Sequence, residues 1–439
     1  MSQLARTEPQ PCIVIVGGGA GGLELATRLG RQLGAGRQAR IVLVDGSPTH
    51  IWKPLLHEVA TGALNTGEDE VNYFAHAYRN GYEFELGYMQ ALDRQQRRIR
   101  LAPVTDEQGE QLAPARDIGY DWLVLAVGAE ANDFGTPGVR EHCLFLNTPA
   151  DAERLRKQLL ALTFRASANP AGVQPVRVSI VGGGATGVEL AAEMHHTVCE
   201  LHQYGARLSP ADFTLRIIEG AGRILATAPE SLSHYATDEL QKRHIEVLAN
   251  SLVKRVDADA IELADGRRVA SDLCVWAAGV KAPAWLAGLD GLPVNKVNQL
   301  LVDTRLQTAD PRVLAIGDCA AAPDGEGGRP LAATAQVAHQ QARYLARELP
   351  RRLRGQGGAP FVFKPQGMMV SLGKNKAVGS LAAVVGPKRN YHVEGRSAKL
   401  IYVSLYRMHQ AAVHGWLLAT LLFIGDKLRG VARPTLKLH

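Results

Sequence analysis

One pattern narrows what this chain can fold into more than any other: strand, glycine turn, helix, strand and acid, written twice. The first copy runs from the apolar strand Cys12 to Val16 (CIVIV) through Gly17 to Gly22 (GGGAGG) into a helical stretch from Leu23 to Leu29. A second strand, Ile41 to Val44, ends at Asp45. Short β-branched runs without polar alternation suit a sheet covered on both faces. The plan returns 165 residues later, with Val176 to Val181 as the strand and Gly182 to Gly187 (GGGATG) as the turn. There Val188 to Glu193 opens the helix, and Thr214 to Ile218 leads to Glu219. Each copy adds a third apolar strand closed by glycine, Tyr120 to Gly128 in one and Ser271 to Gly279 in the other.

The spacing G-x-G-x-x-G has a physical use. Its first glycine turns the strand sharply, its second lets backbone approach a pyrophosphate, and its third lets helix lie close to strand. The helix N-terminus then offers free N–H groups and partial positive charge to the phosphates. Gly17, Gly19 and Gly22 fill these places once, and Gly182, Gly184 and Gly187 fill them again. A single copy is weak evidence, since such a turn can be purely structural. Two copies, each followed by an acid able to accept ribose hydroxyls, point to two dinucleotide sites. Asp45 lies 23 residues beyond Gly22, while Glu219 lies 32 beyond Gly187 and needs a longer helix or loop. A carboxylate at Glu219 repels the 2′-phosphate of NADPH, and Gly220 to Gly222 offers no cation, so NADH is favoured despite the nearby Arg223.

The expected fold class is therefore α/β, with two Rossmann-like dinucleotide-binding domains, the second inserted in the first, and a C-terminal membrane-associating region. A late strand, Val313 to Ile316, running into Gly317 and Asp318, belongs with the first copy. The expected boundaries are 1–145 plus 290–350 for the first domain, 146–289 for the second, and 351–439 for the remainder. The five cysteines form no CxxC pair, and no Cys/His spacing suggests zinc. The net charge of +6 is confined to the end of the chain, where seven basic residues from Arg396 to Lys437 face one acid, Asp426. Among them Ala411 to Gly425 is apolar, yet shorter than the roughly 20 residues a spanning helix needs. It reads as an interfacial helix carrying Trp416, Leu417, Leu418, Leu421, Leu422 and Phe423, on an anionic lipid surface contacted through 396–439. A core or homodimer-interface helix is its alternative use. Nucleic acid is a poor partner, because the basic residues flank an apolar stretch instead of a polar face.

With both motifs placed, the chain resembles the two-dinucleotide flavoprotein superfamily and, within it, bacterial type II NADH dehydrogenases. The resemblance rests on Val16 to Thr27 (VGGGAGGLELAT), Trp52 to Ala63 (WKPLLHEVATGA) and Val181 to Met194 (VGGGATGVELAAEM). Further matches are Trp276 to Ala284 (WAAGVKAPA), Ala315 to Ala321 (AIGDCAA), Ala335 to Arg343 (AQVAHQQAR) and Leu405 to Leu417 (LYRMHQAAVHGWL). It implies non-covalent FAD at Gly17, Gly19, Gly22 and Asp45, with Lys53 and Pro54 beside the flavin ring. Gly128, Gly317 and Asp318 would serve the ribityl–pyrophosphate part, and the helix starting at Ala335 would face the reduced flavin with its N-terminus. NADH would be held by Gly182, Gly184, Gly187 and Glu219, near Ala278 and Gly279. Gln336 and Gln340 would line a quinone site, and Glu189 would take part in quinone reduction. The implied activity is oxidation of NADH and reduction of a membrane quinone without proton pumping, in the respiratory chain, peripherally on the cytoplasmic side of the inner membrane. His57, His195 and His196 read as structural. Two other readings stay open: a soluble NAD(P)H reductase serving a ferredoxin or rubredoxin, and a non-catalytic flavoprotein that uses NADH to switch a binding surface.

Overall fold

The computed structural model describes residues 10–64, 70–106, 108–168, 174–325, 328–373, 376–382 and 390–432, with side chains described for all but 382, 390–391 and 426–432. The chain forms two units, each assembled from separated segments. One comprises Met1–Trp52, Glu70–Glu130 and Val280–Lys364; the other comprises Lys53–Asp69, Ala131–Gly279 and Pro365–His439. The chain thus changes unit at 130/131 and 279/280, where the motifs suggested 145/146 and 289/290, and the segment after Lys364 groups with the second unit.

In the first unit five parallel strands lie in the order Val313–Ala315, Trp122–Leu125, Cys12–Val16, Arg40–Asp45, Glu83–Leu86. The glycine strand is central, so Ile13, Val14 and Ile15 are fully buried. Each such side chain contributes about 1.5–3 kcal/mol relative to exposure. The helix Ala20–Leu29 follows the glycine turn and packs on the long helix Ala335–Leu353. At Gly21 an added Cβ would meet Ala338 Cβ and the Ala338 carbonyl, each at 3.3 Å, so these helices approach at backbone distance.

The second unit repeats the arrangement. Its parallel order is Cys143–Phe145, Leu273–Trp276, Val176–Val181, Phe213–Ile218, Glu246–Leu248, again with the glycine strand in the middle. The helix Ala185–Gln203 follows its turn, and the short helix Leu56–Thr61 packs against it. The pairing of Cys143 with Cys274 in neighbouring strands sets their sulfurs 3.1 Å apart, although 131 residues separate them in sequence. An antiparallel sheet of Gly367–Ser371, Ala377–Ala382 and Asn390–Glu394 follows, with the helix Gly395–His414 packed on it.

The apolar segment 411–425 is not one helix. Gly415 takes φ +89° and ends the Gly395 helix; a second helix, Trp416–Ala432, begins beyond it. Left-handed backbone at a glycine stops a helix without steric cost. Trp416, Leu417, Leu418, Leu421, Leu422, Phe423 and Ile424 of the second helix are all exposed. The side chains of Asp426, Lys427 and Arg429, and residues Arg433 and Lys437, lie outside the described set. No helix among the described residues is long and apolar enough to cross a membrane.

Candidate functional site

The two glycine turns are the same object built twice. Gly17 and Gly182 take φ +101° and +110°, a region that favours glycine, and their N–H groups donate to Val44 and Ile218 carbonyls at 2.8 Å. A Cβ at Gly22 would lie 1.8 Å from the Gly17 carbonyl oxygen, and one at Gly187 would lie 2.0 Å from that of Gly182. By contrast, a Cβ at Gly19 or Gly184 would meet nothing within 4 Å. That combination, a crowded third glycine and open space at the second, is what a pyrophosphate at each helix N-terminus requires. Gly18 N–H donates to the Asp45 carboxylate and Gly183 N–H to the Glu219 carboxylate, both at 2.6 Å. Each acid therefore braces its turn while keeping lone pairs for a ribose. Burial pushes the Asp45 carboxyl up, opposed by hydrogen bonds from the Gly18, Ser47 and Gly46 backbone.

Arg223, four residues beyond Glu219, is already committed. Its guanidinium donates to the carbonyls of Leu225, Ala226 and Ala228 at 2.8–3.0 Å. Ala278 and Gly279 follow the strand Leu273–Trp276, with Gly279 at φ +64° and the Phe134 ring against it.

In the first unit, Gly128 and Gly317 take φ +72° and +71° at the ends of neighbouring strands. Gly317 N–H donates to Gln341 Oε1 at 2.6 Å, and Gln299 Nε2 donates to the Asp318 carbonyl at 3.0 Å. The Ala335 helix begins with Thr334, whose hydroxyl accepts from Val337 N–H at 3.3 Å. Gln336 and Gln340 sit in its first two turns. The Gln340 amide is engaged at both ends, donating to the Lys364 carbonyl at 2.8 Å and accepting from Lys364 N–H at 3.0 Å.

In the second unit, Lys53 is exposed and Pro54 half-buried in the turn Lys53–Leu55. Glu189 lies one turn into the Ala185 helix and turns into the protein. Ser371 N–H donates to its Oε1 at 2.9 Å, and His57 Nδ1 stands 3.7 Å from its Oε2. Lys399 Nζ donates to Ser371 Oγ at 2.8 Å, and the buried Tyr402 ring faces the same carboxylate. Burial, and to a lesser degree the Glu58 charge, pushes Glu189 up to about 8, against the Ser371 hydrogen bond, Tyr402 and Lys399. Burial pushes His57 down to about 3, so its ring is neutral. His196 Nε2 pairs with Glu200 at 3.2 Å on the same helix. Gln341, Ser371, Lys399 and Tyr402 were not legible as site residues. Gln341 had one readable signal: it falls on the apolar face formed by Val337, Ala338, Ala342 and Leu345.

Comparison with known proteins decides the class. The pyridine nucleotide-disulphide oxidoreductase family model matches residues 11–342. A type II NADH:quinone oxidoreductase of Haemophilus influenzae is 40% identical, covering 97% of this chain and 99% of its own. The chain belongs to the type II NADH:quinone oxidoreductases. A demethylphylloquinone reductase of Synechocystis is 30% identical over 96% of this chain and 99% of its own. Among solved structures, NDH2 of Plasmodium falciparum in complex with NADH superimposes with a TM-score of 0.81 at 19% identity, covering 98% of this chain and 100% of that one. The sulfide:quinone oxidoreductase of Aquifex aeolicus shares the fold at a TM-score of 0.72 and 20% identity, over 92% of each chain. Members of this family are FAD-dependent flavoproteins, and the doubled cradle of this chain has the donors, the open second glycine and the bracing acid that FAD and NADH each require.

Proposed function

We infer that this chain is an FAD-dependent NADH:quinone oxidoreductase that works without proton pumping. It oxidises NADH and reduces quinone to quinol. FAD held by the first cradle would supply the hydride-accepting and electron-passing chemistry. The chain's own residues position the partners and handle protons. The first cradle (Gly17, Gly19, Gly22, Asp45) with Gly317 and Asp318 holds the FAD phosphates and sugar, and the second (Gly182, Gly184, Gly187, Glu219) holds NADH. Occupied Arg223 leaves the Glu219 carboxylate as the group a 2′-phosphate would meet, which supports NADH as the donor.

Quinone takes up two protons with its two electrons, and the chain must supply a donor in a dry place. Glu189 is suited to that role: with its carboxyl pushed to about 8, it carries a proton at neutral pH. The 40% identity to a type II NADH:quinone oxidoreductase over 97% of the chain is the observation that most supports quinone as the electron acceptor, and the buried Glu189 beyond a dinucleotide motif agrees with it. By the family resemblance, Gln336 and Gln340 on the Ala335 helix would contact quinone. Attachment to lipid is assigned to the Trp416 helix, peripherally and on the cytoplasmic face of the inner membrane. Its exposed Trp416, Leu417, Leu421 and Ile424 each gain about 1.5–3 kcal/mol on full insertion.

The test is anaerobic. NADH should bleach the yellow protein, and a short-chain quinone should restore the colour promptly; bleaching with no reoxidation would end the quinone reading. Leu421→Glu should weaken sedimentation with anionic vesicles about tenfold or more while leaving both colour changes intact.

A further inference from the structure

Glu24 is a charged residue that no step above uses. It lies in the Ala20 helix two residues beyond Gly22, and its side chain is fully buried. Three cationic or ionisable groups converge on it. Arg28 Nε donates to Oε1 at 2.8 Å, Arg343 Nε donates to Oε1 at 2.9 Å, and His339 Nδ1 lies 2.5 Å from Oε2. Burial alone would push the carboxyl up; hydrogen bonds from His339 and Arg343 and the charge of Arg28 outweigh it and bring Glu24 down to about 2. A buried carboxylate stays ionised only when it is paired and hydrogen-bonded this fully.

The location of those partners matters. His339 and Arg343 stand one turn apart on the Ala335 helix, interleaved with Gln336 and Gln340. One turn earlier the two helices touch at Gly21 and Ala338. On its other side the Ala335 helix holds the Gly317 turn through Gln341, a fully buried side chain. The helix that carries the quinone-side glutamines is therefore fastened to the pyrophosphate helix by a charged clamp and to the Gly317 turn by an amide.

We propose that Glu24 is a positioning residue for the acceptor half-reaction, clamping the helix of Gln336 and Gln340 to the FAD helix through His339 and Arg343. The proposal rests on the reading that this helix faces quinone. None of the groups proposed to hold NADH takes part in this clamp. A misplacement of about 1 Å in positioning groups costs up to a hundredfold in rate, so a slackened helix should be visible in one half-reaction and not the other.

The experiment uses the FAD-loaded protein carrying Glu24→Gln, which keeps the shape and removes the charge. Bleaching by NADH should stay within about twofold of the parent, while reoxidation by a short-chain quinone slows about tenfold and KM for quinone rises with KM for NADH unchanged. Amide hydrogen exchange over residues 335–341 should quicken in the same protein, a readout independent of turnover. Should Glu24→Gln fail to hold flavin, His339→Gln, which leaves both arginines on the carboxylate, is judged on the same measures. Equal slowing of both half-reactions, or no change in either, overturns the proposal. Failure of the parent protein itself to be reoxidised by quinone removes the acceptor reading and this inference with it.

Discussion

Glu24 and Glu189 are the same residue of the repeat, each two places beyond the third glycine and each closed off from solvent, yet one is ionised and the other protonated. Glu24 meets His339, Arg343 and Arg28 and is ionised; Glu189 lies among the Ser371 N–H, Tyr402, a neutral His57 and the Glu58 carboxylate, and burial keeps its proton on. The Lys399 ammonium donates to Ser371 Oγ, and its charge opposes the rise at Glu189 without outweighing burial. Phosphate binding dictates the backbone of the turn and the acid beyond it, so those parts of the two copies are superimposable in their chemistry. The helix face one turn on is free of that demand. One copy carries an ion-paired carboxylate there and the other a buried, protonated carboxyl, and the difference follows from what packs on each helix.

That contrast can be broken in several ways. The largest effect should come from the third glycines, where a Cβ has no room. Gly22→Ala should give colourless protein that takes up no FAD, whereas Gly187→Ala should stay yellow and lose NADH affinity, each at an overpacking cost of about 1–3 kcal/mol or more. Absorbance spectra and NADH titration separate the two, and a colourless Gly187→Ala would mean the copies are assigned the wrong way round. Next, Glu189→Gln should slow quinone-driven reoxidation roughly a hundredfold, within the range of general acid catalysis. NADH-driven bleaching should survive, and stopped-flow absorbance would show it.

The pH dependence of stability should run in opposite directions. Glu24 has its folded value depressed from 4.5 to about 2, so its contribution is present above pH 4.5 and lost as pH falls towards 2. It is on the order of 3 kcal/mol. Glu189 has its folded value raised from 4.5 to about 8, so the stability linked to its proton is present below 4.5 and drains away as pH rises through 8. Urea melts of Glu24→Gln and Glu189→Gln against the parent at several pH values should show the two trends, and parallel curves would refute the contrast. The smallest effect belongs to the bracing acids. Glu219→Gln should raise KM for NADH about tenfold, the low end of what one hydrogen bond to a charged group contributes, and should leave NADPH a poor donor.

The parts of this molecule legible in the sequence are those that obey local rules. Glycine spacing, apolar strands and closing acids are written within fifty residues of each other, so both cradles could be placed before any coordinate was known. What escaped depends on long-range approach. Ser371 and Lys399 reach Glu189 from a sheet and a helix some two hundred residues downstream, and nothing in their own neighbourhoods marks them. Glu24 carries no local mark either, since its partners His339 and Arg343 lie more than three hundred residues downstream. The Cys143–Cys274 contact depends on which strands become neighbours. Gly415 is different: its effect was local, and the apolar count from Ala411 to Gly425 passed over a residue well able to end a helix.

Arg223 spends its guanidinium on three carbonyls, and this has a bearing on how the donor preference could drift. In dinucleotide folds that take the phosphorylated coenzyme, an arginine near this position accommodates the 2′-phosphate. Here the obvious cation is holding up its own loop. Mutation can blunt the choice in a single step, but reversing it calls for a second, newly recruited positive charge.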